Sequence, residues 1–217
     1  MKAFVVAMEC EADAVISNMA DCAASTVFGR KVVRGAIDGV DTAVVVAGVG
    51  KVNAAAGAQL ALSSLGADVL LNVGVAGGLV PGMKVGEVYR IDRAVQFDFD
   101  LSKINGTPIG TPNECSGPFF ALAKAGSWPD AVVATGDSFT DDEGEVEFLR
   151  RTFDANVREM ELGAIAHVAA RAGVPLYAWK AISDVAGLGT MFGQYAENLK
   201  RCLDILAGEV KAMFRAA

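Results

Sequence analysis

The sequence predicts an α/β domain built on a largely parallel sheet with helices on both faces. Three observations carry this. Short apolar, β-branched runs alternate with helix-like segments, as units of a parallel sheet do. Glycine-rich turns stand at the ends of several of those runs. The chain is 217 residues long and 53% hydrophobic, enough for one large buried core. No repeat, linker or low-complexity stretch divides it, so residues 1–217 are read as one domain.

Taken in order, Ala3–Ala7 is a short apolar run that reads as a buried strand, and Glu11–Ala20 reads as a helix. Val27–Arg34 and Thr42–Ala47 are β-branched runs on either side of the turn signal Asp38-Gly39. Asn53–Leu65 is alanine-rich and helical, with Gly66 as its stop. Asp68–Val73 is a further apolar strand and Glu87–Phe97 is extended. Thr107–Asn113, rich in Pro, Gly and Thr, reads as loop, Gly117–Ala125 as a helix and Ala131–Thr135 as a strand. Helices are expected at Glu143–Thr152 and Glu161–Ala172, a long strand at Pro175–Ser183 and a closing helix at Phe192–Phe214. Open parallel sheets bind ligands beyond the carboxyl ends of their strands. The exits Met8–Glu11, Gly48–Lys51, Gly74–Gly78, Gly136–Thr140 and Ser183-Asp184 are therefore where a site is expected.

Composition narrows the chemistry. A formal net charge of −7 removes the general attraction for nucleic-acid backbones, and the basic residues cluster only as pairs such as Arg150-Arg151. No run reaches the ~18 apolar residues of a membrane span, and the opening apolar run is too short for a secretory leader. Cys10, Cys22, Cys115 and Cys202 form no CxxC pair, which suits free thiols in a reducing cytoplasm. Asp98 and Asp100 would share one strand face, but no third ligand accompanies them, so neither a metal nor another cofactor is expected.

The glycine turns fail the nucleotide-binding tests. Around Gly48-Val49-Gly50-Lys51, a P-loop would need glycine at Val45 and a hydroxyl residue at Val52. The dinucleotide fingerprint would need glycine at Asn53. What remains is a tight turn, or a place where backbone amides approach a small ligand. Gly136-Asp137-Ser138-Phe139 is similar to an esterase nucleophile segment. Its partner would have to be His167, the one histidine, which sits mid-helix and reads as a core or half-buried residue. The esterase is rejected. Three acids stand at the expected site: Glu11, Glu161 and Asp184. Each alone reads more simply as a helix cap or a partner of a helix dipole. Their joint placement at strand exits favours chemistry.

At these residues the chain resembles the 5′-methylthioadenosine/S-adenosylhomocysteine nucleosidases, within the wider purine nucleoside phosphorylase family. The likeness runs through Ala7-Met8-Glu9-Cys10-Glu11, Gly48-Val49-Gly50-Lys51-Val52-Asn53-Ala54-Ala55, Asn72-Val73-Gly74-Val75-Ala76-Gly77-Gly78-Leu79 and Lys84-Val85-Gly86-Glu87. It continues through Thr135-Gly136-Asp137-Ser138-Phe139, Glu159-Met160-Glu161 and Ala181-Ile182-Ser183-Asp184-Val185. The resemblance implies a three-layer α/β/α sandwich with a mixed, largely parallel sheet, and a homodimer whose partner helps close the pocket for the 5′ group. It implies that Glu11 activates water and that Asp184 protonates N7 of the leaving purine. Glu161 would grip the ribose hydroxyls, Met160 pack on the sugar and Phe139 stack on the base beside Thr140. Met8, Val49, Val75 and Ser183 would line the same pocket, with Lys180 near the water.

The chemistry is coherent on its own terms. Breaking the C–N bond builds positive charge on the sugar and negative charge on the base. An acid answers the second and a carboxylate with water the first, while a two-oxygen acceptor matches a vicinal diol. Two positions depart from the family: Val75 replaces a common hydroxyl residue, and Lys180 replaces an arginine and its planar fork. A phosphorylase would in addition place arginine at Asn72, so hydrolysis is the expected reaction. Phosphorolysis of purine nucleosides and hydrolysis of futalosine are the alternatives.

Overall fold

The computed structural model describes residues 1–217. Its ten strands are β1 (Lys2–Val6), β2 (Ala20–Val27), β3 (Arg30–Ile37), β4 (Val40–Val46), β5 (Val69–Gly78), β6 (Val88–Gln96), β7 (Phe119–Ala121), β8 (Asp130–Thr135), β9 (Val157–Glu159) and β10 (Leu176–Val185). The helices are α1 (Glu9–Ile16), α2 (Lys51–Ser63), α3 (Ser102–Asn105), α4 (Glu143–Phe153), α5 (Leu162–Ala172) and α6 (Met191–Ala216). Helices cover both faces of the sheet. On one side Ala54, Ala58 and Ala61 of α2 meet Leu162, Ile165 and Ala169 of α5; small side chains there let the helices approach closely. On the other side α1 and α6 bury Ala12, Val15, Leu206, Val210 and Phe214 against Phe4, Leu71 and Trp179. The three-layer sandwich is as expected.

The sheet is mixed. Parallel pairings join β1 to β4 and β5, β5 to β10, and β8 to β6 and β9. Antiparallel pairings are as numerous: β2–β3, β3–β4, β10–β6, β5–β9 and β6–β7. Because β5 pairs with both β9 and β10, and β10 reaches β9 through β6 and β8, those five strands close on themselves. This closure brings the ends of β5, β8, β9 and β10 together.

Several local expectations are corrected. The first helix ends at Ile16, and Ala20–Val27 forms β2, an exposed strand paired to β3 by its backbone rather than by an apolar pattern. Gly117–Ala125 is not a helix: Phe119–Ala121 pairs with Val95–Arg93 as β7. β9 is a three-residue strand too short to show a period. Asp98 and Asp100 lie beyond the end of β6 and share no strand face; Asp98 pairs with Lys51, and Asp100 accepts from the Ser102 amide. His167 is half-buried as expected. It stacks on Phe120 at 4.8 Å, and its Nε2 lies 2.8 Å from Glu114.

Candidate active site

One cavity gathers Met8, Glu11, Val49, Val75, Phe139, Met160, Glu161, Ser183 and Asp184. Nine of the eleven residues expected from the sequence are thus on one wall. Thr140 lines a smaller hollow that shares Phe139, Met160 and Asp184 with it. Lys180 is not on the wall. It is 2% exposed and reaches the wall residue Glu159 with its Nζ.

Glu11 stands in the first turn of α1. Its Oε2 accepts the Ala7 and Met8 amides at 3.1 Å each, half of a capping box, and its Oε1 accepts the Val75 amide at 3.1 Å. The cap reading is therefore true in part, but the third bond ties the carboxylate to the end of β5. Burial pushes its proton affinity up, against Lys180 and the three amides, which favour the ionised form. Gly74 makes this position possible. A Cβ there would collide with Glu11 Oε1. Gly74→Ala is expected to displace the carboxylate from its three amides and to lower kcat roughly 10²-fold with the fold retained, since a displacement of ~1 Å costs that much. Steady-state kinetics beside circular dichroism checks it.

Glu161 precedes α5 but does not cap it. Glu159 does: its Oε2 accepts the Glu161 amide at 3.0 Å and the Leu162 amide at 2.8 Å. Glu161 is thereby released, and its Oε1 accepts the Gly50 amide at 2.8 Å from the glycine turn after β4. Gly50 has φ 94°, a conformation that favours glycine. That turn is a strand-to-helix connection, and its Gly50 amide binds a protein carboxylate. Burial, then the neighbouring Glu159, push Glu161 to about 7. Lys180 Nζ pairs with Glu159 Oε2 at 3.1 Å. Burial works against its charge, but Glu159, Glu11 and Glu161 outweigh that and keep it an ammonium.

Asp184 lies inside β10, not in a following turn, so it caps nothing. β10 has a bulge here: Ile182 pairs with Ala76 and Asp184 with Gly77, which leaves Ser183 as the extra residue. Bulges re-aim side chains next to functional sites. Ser183 Oγ donates to Asp184 Oδ1 at 2.6 Å, while the buried Oδ2 has no partner. An unpartnered carboxylate oxygen in such a place is best accommodated as a protonated one. Burial, opposed by the Ser183 hydroxyl, pushes Asp184 up to about 6.

These features give a cavity with one carboxyl whose buried oxygen has no partner, one carboxylate anchored by three amides and a second anchored through one oxygen by the Gly50 amide. A family profile described as the phosphorylase superfamily matches residues 2–215. The chain belongs to the phosphorylase superfamily. It is 35% identical over 215 residues to a 5′-methylthioadenosine/S-adenosylhomocysteine nucleosidase of Geobacillus kaustophilus (strain HTA426), covering 91% of each chain. Among solved structures, the nucleosidase of that name from Helicobacter pylori, complexed with a pyrrolo-pyrimidine pyrrolidinol bearing a propynylthio group, superposes with TM-score 0.91 at 25% identity, over 99% of this chain and 97% of that one. Futalosine hydrolase of Helicobacter pylori strain 26695 shares the fold at TM-score 0.91 and 24% identity, over 99% and 97%.

In this superfamily member, three wall residues escaped the sequence reading. Glu159 was visible only as a neighbour of Met160. Arg158 precedes it, and two charged residues in one buried three-residue strand were the available signal. Tyr195 of α6 stands edge-on to Phe139 at 5.9 Å, with its hydroxyl 3.6 Å from Met8 Sδ. No pattern in an amphipathic helix marks such a residue. Phe97, at the end of the extended run after Glu87, is core: it packs with Leu79, Leu149 and Phe153. Asn72 serves the sheet, donating to the Val5 carbonyl at 2.8 Å.

Proposed function

We propose that the chain hydrolyses the N-glycosidic bond of an adenine nucleoside carrying a 5′ substituent, of the 5′-methylthioadenosine or S-adenosylhomocysteine kind, and releases the free base. The observation that carries this reading is the charge of the cavity. Glu11, Glu159, Glu161 and Asp184 face it, while Lys180 is held by Glu159 and Arg158 by Glu145. Such a site suits a cationic sugar and a neutral water. It disfavours a phosphate dianion, which needs unpaired cations or free amides.

In this mechanism the base lies against Phe139, and Asp184 Oδ2 delivers its proton to N7 as the bond to the sugar breaks. Glu11 takes a proton from the attacking water, with Lys180 as its counter-charge. Met160 packs on the sugar, Glu161 Oε2 accepts from the ribose hydroxyls, and those donors hold Glu161 ionised once substrate is bound. Met8, Val49 and Val75 give the remaining apolar wall, and Thr140 borders the base. The names of the relatives support the 5′-thio substrate class. The reading includes a cytoplasmic homodimer, with Val49 (50% exposed) on the cavity wall and Val52 (80% exposed) in the first turn of α2 as apolar surface for the partner.

The test is base release from adenosine, inosine, 5′-methylthioadenosine, S-adenosylhomocysteine and futalosine, each with and without phosphate. The expected result is turnover of the 5′-thio adenosines in phosphate-free buffer, with the free sugar as product. Strict phosphate dependence with a sugar 1-phosphate would assign the chain to the phosphorylases. Glu161→Gln is expected to weaken ribonucleosides at least tenfold more than their 2′-deoxy analogues, by the loss of one charge-assisted bond. Equal losses in KM for the two series would remove the diol role.

A further inference from the structure

Arg158 is a buried cation in the cavity wall that the reaction as described does not use. It sits at the centre of β9, 6% exposed. Its Nη2 donates to the Ser138 carbonyl at 2.8 Å and the Ser138 hydroxyl at 2.9 Å, and its Nη1 to the Thr140 carbonyl at 3.3 Å. These bonds fasten both sides of Phe139, the ring placed against the base. Nη2 also pairs with Glu145 of α4 at 2.8 Å, and the guanidinium lies 5.7 Å from the Phe97 ring. Its Nε is buried without a partner.

The sheet register places Arg158 opposite Asp184. Gly77 of β5 pairs with Asp184 of β10 on one edge and with Arg158 of β9 on the other. The three residues form one rung, with the end strands roughly 10 Å apart. Gly77 leaves the middle of that rung open: a Cβ there would lie 2.7 Å from Asp184 Oδ2. A long cationic side chain thus lines the same cavity as the proton donor, across a residue that has no side chain to separate them.

We propose that Arg158 is a positioning residue for base departure, one that fixes the Ser138–Thr140 strap around Phe139 and supplies the counter-charge for the carboxylate that Asp184 becomes. The inference rests on the reading of Asp184 as the acid. When the C–N bond breaks, its electron pair goes to the base, the proton passes from Asp184 Oδ2 to N7, and Asp184 is left ionised. A preorganised positive charge stabilises that anion as it forms and needs no solvent reorganisation. The other groups that face Asp184 do not supply one. Ser183 donates a neutral hydrogen bond, Asp141 from the loop before α4 repels, and Tyr195 and Cys202 of α6 are neutral when protonated. Arg158 is the cation among them, and its own charge is tempered by Glu145 and, farther off, Asp98.

The experiment is the pH dependence of kcat at saturating 5′-methylthioadenosine in the full chain, where bound substrate already holds Glu161 ionised. Loss of the Asp184 proton sets the alkaline limb. Arg158→Gln removes the positive charge, so the limb is expected to move up by about one pH unit while the plateau kcat falls ~10-fold or more. Arg158→Lys keeps the charge and is expected to hold the limb near its original place. Glu145→Gln leaves Arg158 less compensated, so the limb is expected to move down. Opposite shifts from the two neutralising variants are not produced by a merely structural tie, which would alter KM and stability at an unmoved limb. Coincident limbs in wild type, Arg158→Gln and Glu145→Gln would overturn the proposal. If Arg158→Gln does not fold, an unmoved limb in Glu145→Gln alone overturns it. An alkaline limb that survives in Asp184→Asn would instead overturn the assignment of the acid itself.

Discussion

Asp184→Asn is expected to lower base release by ~10²–10⁴-fold, the usual cost of losing a general acid. The fold should survive, because Asn keeps an oxygen to accept from Ser183 Oγ at the Oδ1 position. The stability change has a predictable sign. Folding raises the Asp184 carboxyl to about 6, so its contribution is full below the ordinary value near 3.8 and is lost as pH rises through about 6. Above that pH the buried charge costs about 3 kcal/mol. A neutral amide escapes this cost, so the variant should have an equal or higher Tm at pH 8 while being nearly inactive. Near wild-type turnover on every purine nucleoside would sink the assignment. A clear loss of Tm at pH 8 would show that the carboxylate serves the fold.

Glu11→Gln is expected to lower kcat by ~10²–10⁴-fold with a modest change in KM, because water activation matters only in the transition state. The variant separates the two tasks of Glu11. An amide oxygen can keep one or two of the bonds from Ala7, Met8 and Val75, so the start of α1 should stay in place. The amide cannot take a proton from water, nor answer positive charge on the sugar. Lys180 then loses one of its three acidic neighbours but keeps its direct partner Glu159, which limits the structural damage. Rapid-quench measurement of base release is the check. A rise in KM with kcat intact would mean that Glu11 binds substrate rather than activating water.

Glu11 and Asp184 lie far apart in the chain, yet both were legible because each stands at the exit of an apolar run, and strand exits converge at one edge of a parallel sheet. Phe139 and Met160 followed from the family likeness of their segments, and the cavity contains them. Lys180 was harder to place. Its position in a strand was readable, but whether it lined the cavity or only reached a wall residue depended on Glu159, an acid across the sheet with no local signature. Arg158 and Tyr195 were missed for the same reason, since their neighbours come from elements distant in sequence.

The sequence by itself determined the layering, the positions of most strands and helices, the glycine turns and the acids at the strand exits. Each of these follows from hydrophobic periodicity, turn chemistry or cap preference within a few residues. The tertiary structure alone decided the strand pairing. It decided that β9 closes five strands on themselves, that Phe119–Ala121 joins the sheet as β7 rather than forming a helix, and that a bulge at Ser183 turns Asp184 into the cavity. Those outcomes depend on which backbone donors and acceptors meet across long stretches of chain. A pattern that repeats every two residues states which face is buried; it carries no information about the partner.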